Sequence, residues 1–584
     1  MKKKLSILCI FILITSASFS QVRQSAVNFY GGDLSGESYG SFIKTDLSGN
    51  VFQAGRSHGQ STNFDYALIK YSAVGNLLWE RRFNGEGNGN DEPFGIMTDE
   101  SGNSYITGTS QFRYDNGGSE CITIKYTAEG NIVWVNKFIN YGDKVSCGHT
   151  IVKDQENNIY VAGYSGTDEA RDLLLLKINS EGQTIWSRTL DGNSINSDYN
   201  NMLTIFKENL YICGGAILNS ANFLDYVLQK YDLNGNLIWQ RSHNGNLNGF
   251  DVARSVFADR NENIYITGYT ENQNTKLDIT TIKYNSDGDE IWVRDFNGSG
   301  DGYDWPNHVL VDKFDNVYVE GGSQNVRQTN DECMAELGKC MNDATLIKYL
   351  PSGAIDWVRT YNGPDNMYDC LQGMTLDQEN NVYVAGRSHN EVAGNNDDII
   401  TMKFNTRGDM LWLMKYNSGP SKNDYGNAIA LDNMGNVYSS GWSNGRGNID
   451  FIMIKYSPVK IEADVISDNN STVNLQTEEK VLGNNVTSDV VPESYSLSQN
   501  YPNPFNPNTI INYAIPSNVK RQTSDVKLII YNSLGKQITT LVNRKHNAGS
   551  YSVEFNGEGL PSGIYFYKIK AGDFDETKRM VMLK

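Results

Sequence analysis

Seven tryptophans set the problem. Trp79, Trp134, Trp186, Trp239, Trp292, Trp357 and Trp412 follow one another at steps of 55, 52, 53, 53, 65 and 55 residues. Between them the same phrases return: an NVYVAG-like run, an LIKY-like run, then GN..W. A period near 50 made of short strand signals belongs to a radial or linear repeat, in which each unit buries its apolar surface only against its neighbours. Such scaffolds host many activities, so the repeat constrains shape far more than chemistry.

The seventh copy shows the unit. LQGMTLD (371–377), NVYVAG (381–386), DIITMKF (398–404) and MLWLMKYN (410–417) are strand signals separated by QEN- and NTRGD-type turns. Four short antiparallel strands per unit predict a propeller blade. The third strand is apolar at nearly every position, as in ALIKY, LLLLK and FIMIKY. A strand apolar on both faces is covered on both.

The second strand recurs eight times, starting at Val51, Ser104, Ile159, Leu210, Ile264, Val317, Val382 and Val437, but the Trp strand only seven times. The last copy stops at Tyr456 without one. The segment Ala26 to Gly32 resembles the tail of a Trp strand (Lys415, Tyr416, Asn417), so the expectation is that the N-terminal strand completes the eighth blade. That would leave no free edge between first and last blades. Seven blades with a frayed extra copy, or an open solenoid, are the alternatives.

The chain has 584 residues and a net charge of −18. That size calls for at least two domains. That charge disfavours nucleic acid and acidic membranes as partners. Lys2 to Lys4, the apolar run Leu5 to Ile14, and Ser18 and Ser20 read as a secretory signal over residues 1–20, cut before Gln21. The cut removes three lysines and no acid, taking the charge from −18 to −21. No later run is long enough for a transmembrane helix. Export permits disulfides, and Cys333 and Cys340, close together in one insertion, are the expected pair. Cys147 and Cys370 occupy equivalent places in copies three and seven. Those copies are opposite each other in an eight-membered ring, so this pair should not bond.

The motif D-x-x-x-N-[VI]-Y-[VI]-x-G followed by [LI]-x-K-Y, over residues 26–456, resembles the SBBP-type β-propeller repeat, a family that implies the fold but no single activity. Residues 457–493 lose the pattern and read as a linker. Beyond it NYPNPFNP, IYNSLGK, SGIYFYK and the final KRMVMLK are similar to the type A C-terminal sorting domain of the type IX secretion system. The strand and turn spacing over 494–584 suggests a small Ig-like β-sandwich. The resemblance implies a Gram-negative bacterium. The chain would cross the inner membrane by its signal, pass through the periplasm, and be exported by the type IX machinery to the surface or medium.

Residues present in every copy are structural by default. The third-strand lysines (Lys70, Lys125, Lys177, Lys230, Lys283, Lys348, Lys403, Lys455) are expected to pair with the acid ending the first strand, Asp377 in copy seven, and the tryptophans to pack each outer strand on its neighbour. Asp91, Asp251, Asp304, Asp369 and Asp424 recur at the start of the first strand, where Ser38 and Ser146 stand in copies one and three. They are turn caps or, as the weaker alternative, a carboxylate ring for Ca²⁺. No other cofactor is indicated.

Symmetry breaks at the residue after the second strand's glycine: Arg56, Thr109, Tyr164, Gly215, Tyr269, Gly322, Arg387, Trp442. Ring closure would make Arg387, Trp442 and Arg56 neighbours, with His389 and His58 two residues beyond each Arg. Guanidinium forks suit carboxylates and sulfates, and a Trp face suits a sugar ring. These five residues form the candidate site for an acidic glycan or other anionic ligand. Salt-bridged surface residues are the competing reading. No HExxH, Walker loop or CxxC is present, and no catalytic residue is assigned. The sequence points to a binding or structural module, with a carbohydrate-active hydrolase or lyase as the alternative.

Overall fold

The computed structural model describes residues 22–458 and 495–582. Segments 32–36, 60–61, 113–117, 141–143, 168–170, 191–198, 219–222, 325–341, 364–366 and 391–395 of the first stretch lie outside the description, as do 498–499, 501–504, 506–507, 517–523, 534, 547–548, 558 and 573 of the second. The signal segment, most of the linker and the Cys333–Cys340 pair therefore fall outside the described residues. The chain divides into two compact units, residues 1–458 and 459–584. Every described element is a strand, and no described helix is long and apolar enough to cross a membrane.

The first unit is built of four-stranded antiparallel meanders. Six stand as separate sheets, and two more are joined into an eight-stranded sheet by a single parallel pairing, Val145 with Ser119. Copy seven has strands Asp369–Leu376, Val382–Asn390, Asn396–Phe404 and Met410–Tyr416. Its third strand is buried at every position, as the double-sided apolar pattern requires. The first strands (Ser38–Thr45, Asp91–Thr98, Val145–Lys153, Tyr199–Phe206, Val252–Ala258, Trp305–Val311, Asp369–Leu376, Asp424–Leu431) each lie against the next, and the last lies against the first. Each carries a bulge, such as Gly40/Phe42 and Leu371/Gly373, which bends the strand where the sheets crowd together.

The strand Val22–Tyr30 pairs antiparallel with Asp450–Pro458, from Val22 opposite Pro458 to Tyr30 opposite Phe451. The sheet of copy eight thus takes its outer strand from the chain's beginning. Ala26 sits opposite Lys455 where Trp79 sits opposite Lys70. The third strand runs on to Pro458, past Tyr456.

The repeated motif follows from one turn. In D-x-x-x-N-V-Y, the Asp46 carboxylate accepts the backbone N–H groups of Ser48 (3.0 Å) and Asn50 (2.8 Å), and Asn50 Nδ2 donates to it at 2.8 Å. The motif's tyrosine closes on the same carboxylate, as Tyr383 Oη does on Asp377 at 3.0 Å. The third-strand lysine completes the group, with Lys403 3.3 Å and Lys70 3.6 Å from Asp377 and Asp46. Copy four has no such Asp. There Glu262 of the next copy accepts from Asn209 (2.9 Å), Tyr211 (3.0 Å) and Lys230 (3.1 Å) instead.

Lys and Trp also join each copy to the next. Lys70 Nζ and Trp79 Nε1 both donate to the Ala128 carbonyl at 3.0 Å. Lys230 and Trp239 meet on Ser286 O, and Lys348 and Trp357 on Thr406 O. One of the two suffices elsewhere: Trp134 on Ser180 O, Lys177 on Leu233 O, Trp292 on Pro351 O, Lys455 on Ala73 O. Each acceptor lies in the turn before the next outer strand. The glycine of that turn packs flat on the indole. Gly408, at φ +79°, would bring a Cβ to 2.8 Å from Trp357. Two residues after the Trp, an arginine donates to the same glycine's carbonyl, as Arg359 Nε does to Gly408 O at 2.7 Å.

In the second unit, one sheet runs Ser496–Leu497, Asn508–Ile515, Gly549–Asn556. The other has the order Gln537–His546, Ser524–Asn532, Gly563–Ala571, Phe574–Met582. Ile511, Tyr513, Leu528, Ile530, Tyr567 and Met580 share one core. Two residues of NYPNPFNP are described, and both are tied in. Asn500 is buried and donates to Tyr567 Oη (2.7 Å, main chain) and Thr509 Oγ1 (2.8 Å), and Phe505 enters the core.

Candidate functional site

The column after the second strand's glycine lies beside the first strand of its own sheet. Arg56 pairs across to Tyr39, and Trp442 to Tyr425. Trp442 stacks on Tyr425 with centroids 3.9 Å apart and planes 14° from parallel, and meets the Tyr39 edge at 5.5 Å. Arg387 is held between the rings of Tyr368 (4.5 Å) and Tyr425 (4.4 Å). Arg56 is held between Tyr39 (4.8 Å) and Phe64 (4.7 Å). The result is one continuous stack across copies seven, eight and one: Tyr368, Arg387, Tyr425, Trp442, Tyr39, Arg56, Phe64. Cation–π contacts of this kind contribute about 0.5–2 kcal/mol each.

Both histidines join this stack at its edges. His389 Nδ1 is 2.8 Å from Asp397 Oδ1, and the His58 ring sits edge-on to Phe64 at 5.4 Å. All five residues expected at the site are thus connected. The sequence did not mark Tyr39, Tyr368 or Tyr425, which supply the faces between the arginines. They are visible only when the column at the start of the first strand is read against the column after the glycine.

The electrostatics differ from a cationic patch. Arg56 Nη1 pairs with Glu92 at 2.6 Å, and Arg387 Nη1 lies 3.7 Å from Asp397 Oδ2. Two guanidinium groups face two carboxylates. The Arg56 and Glu92 side chains keep about a third of their surface exposed. In copies two and three the same columns pair Glu92 with Thr109 and Cys147 with Tyr164, the bulge residues Phe94 and His149 pack beside them, and Arg171 lies over Tyr164 at 4.7 Å. Burial, aided by Arg171, pushes His149 down to about 4, so it is neutral at pH 7.

Asp91, Asp251, Asp304, Asp369 and Asp424 are fully buried. Each spends one oxygen on a backbone N–H of its own preceding loop: Gly85, Gly245 and Gly298 at 2.6 Å, Gly363 and Ser418 at 2.7 Å. That is the geometry of a turn cap. Burial pushes Asp91 up to about 6 and Asp304 and Asp369 up to about 7, and raises Asp251 and Asp424. Carboxylates committed to loop amides and inclined to hold protons do not suit Ca²⁺, which takes six to eight oxygens. Among the described residues no group of three or more His, Cys, Asp or Glu side chains is placed to hold a metal ion. Cys121, Cys147, Cys213 and Cys370 are buried free thiols.

Comparison with known proteins agrees with this architecture. The model for the secretion system C-terminal sorting domain matches residues 499–583, and that for the β-propeller repeat (SBBP) matches 79–115 and 414–450. The chain is therefore an all-β protein of SBBP propeller repeats carrying a type IX sorting domain. That domain marks it for export to the cell surface or medium of a Gram-negative bacterium and implies engagement with the type IX machinery. No curated protein matches it in sequence.

Among solved structures, it is similar to PorZ of the Porphyromonas gingivalis type IX system (8% identity, 96% of this chain and 100% of that one, TM-score 0.23). Others are the β-propeller domain of the Trilobed protease from Pyrococcus furiosus (9%, 65% and 93%, 0.32) and the GH93 α-L-arabinofuranosidase of Fusarium graminearum (10%, 62% and 92%, 0.34). Likenesses at these scores carry no argument about activity.

Proposed function

We propose that the mature protein is a closed eight-bladed propeller over residues 21–456, joined by a linker (457–493) to an Ig-like sorting domain (494–584), and that it serves outside the cell as a glycan-binding module. The closed ring is supported by the unbroken sequence of first-strand contacts and by the pairing of Val22–Tyr30 with Asp450–Pro458. The binding surface is the stack around Trp442, with Arg56, His58, Arg387 and His389. One observation carries the reading: a stack of rings holding two guanidinium groups runs unbroken across copies seven, eight and one, while the residues that hold copies together repeat around the chain.

Glu92 and Asp397 already face the arginines, so an acidic group on the glycan competes with them for the guanidinium forks. Stacking on Trp442 and Tyr39 requires no such exchange. A glycan array probed with the exported protein tests this. Trp442→Ala should weaken the retained ligand about tenfold, the equivalent of about 1.4 kcal/mol. The Arg56→Ala, Arg387→Ala double variant should act preferentially on acidic glycans. Binding unchanged in both variants removes the site.

A further inference from the structure

The passage from copy seven to copy eight differs from every other. Elsewhere the third-strand Lys, the outer-strand Trp or both donate to a main-chain carbonyl in the next copy's last turn. Among the described residues copy eight offers no such turn, because its outer strand, Val22–Tyr30, is supplied from the N-terminus. Lys403 Nζ is left with Asp377 Oδ2 at 3.3 Å and the Tyr383 ring at 4.6 Å. Among the described residues neither Lys403 Nζ nor Trp412 Nε1 meets a carbonyl. Both line a cavity of about 500 Å³ that also touches Val22, Asp377, Asp432 and Pro458.

We propose that this cavity binds a glycine-bearing β-turn of a partner polypeptide, whose main-chain carbonyl accepts from Lys403 Nζ and Trp412 Nε1 as Thr406 O accepts from Lys348 and Trp357. Three features define the ligand class. The two donors converge on a single acceptor in three other interfaces, so the distance between them suits one oxygen. Asp377 matches the Lys403 charge and Asp432 adds another carboxylate to the wall, which favours a neutral amide over a carboxylate or phosphate. The indole face takes only a residue without Cβ: Gly130, Gly353 and Gly408, all near φ +80°, would each place a Cβ 2.8 Å from a Trp ring. Met414 stands where other copies have an arginine, or in copies two and eight an asparagine, that holds the glycine carbonyl, so Lys403 and Trp412 carry the recognition alone.

The test uses the full chain and a synthetic peptide with the sequence of residues 404–410, which contains the turn NTRGD. The Trp412 indole N–H resonance is assigned by its loss in Trp412→Phe. The peptide should bind saturably and shift that resonance, and should bind at least tenfold more weakly when its glycine is replaced by alanine, a change that leaves the protein's folding untouched. An indole proton that exchanges slowly without peptide, with the peptide bound only after residues 459–494 are replaced by a glycine-free sequence, overturns a partner chain as the occupant. An indole proton that exchanges rapidly together with no peptide binding in either protein overturns the site. So does binding indifferent to the peptide's glycine or to Trp412→Phe.

Discussion

The two ends of each sheet behave differently. At the end carrying the D-x-x-x-N turns, copy after copy presents the same Asp, Asn, Tyr, Lys, Trp and Gly in the same contacts. At the other end the corresponding positions hold Arg, Thr, Tyr, Gly or Trp, and each copy has its own cluster. The first end solves one packing problem repeatedly: each sheet must be held to the next. The second is released from that demand, and its residues are held by whatever happens to face them. Glu262 shows how strong the demand is, since it restores from copy five the carboxylate that copy four lacks.

Breaking the closure should have the largest effect. Val27→Pro removes a backbone donor within a strand pairing residues more than four hundred positions apart. Thermal unfolding should fall by several degrees or lose cooperativity, and the exposed edge of Asp450–Pro458 should promote association visible by light scattering. An unaltered melting curve would mean that this strand contributes nothing to the stability of the first unit.

Glycine substitutions sharpen the contrast between the ends. Gly408→Ala meets both a left-handed φ and the Trp357 ring, whereas Gly447→Ala has φ +103° with nothing within 4 Å. The first should destabilise by about 2–4 kcal/mol, backbone strain plus overpacking, and the second by about 1 kcal/mol. Chemical denaturation of both variants measures the difference, and equal losses would assign the whole effect to backbone strain.

The smallest effect is a pH dependence at the divergent end. Asp304 and Asp369 titrate near 7 in the folded chain against about 3.9 when unfolded. Between those values the folded state binds more protons, so their contribution to stability is complete below about pH 4 and is lost as pH rises through about 7. Other carboxylates, such as Asp377, are shifted down and act in the opposite sense. The observable is therefore a difference: Asp304→Asn with Asp369→Asn should flatten the fall in melting temperature between pH 5 and pH 8. Identical slopes in variant and parent would show that these carboxyls are ionised throughout.

Much of this was legible because repetition amplifies weak signals. One NVYVAG run is ambiguous, whereas eight in phase identify a strand, its neighbours and the Lys–Asp pairing seen at Lys403 and Asp377. Ala26 to Gly32 could be aligned with an outer strand for the same reason. The stack was legible only in part. Arg56, Arg387 and Trp442 stood out as departures from a column, but their partners lie in other columns and other copies. Glu92 comes from copy two, and Asp397 from a third strand whose apolar pattern drew attention elsewhere.

The order of local strands, the turn chemistry, the closing segment and the export address are written in the chain, because each depends on residues near in sequence or on a period that sequence displays directly. Which side chains stack, which charges cancel and which donors lack a carbonyl were decided by the tertiary structure. Those contacts join residues from different copies, and their distances depend on how the sheets twist and pack, which no single repeat encodes.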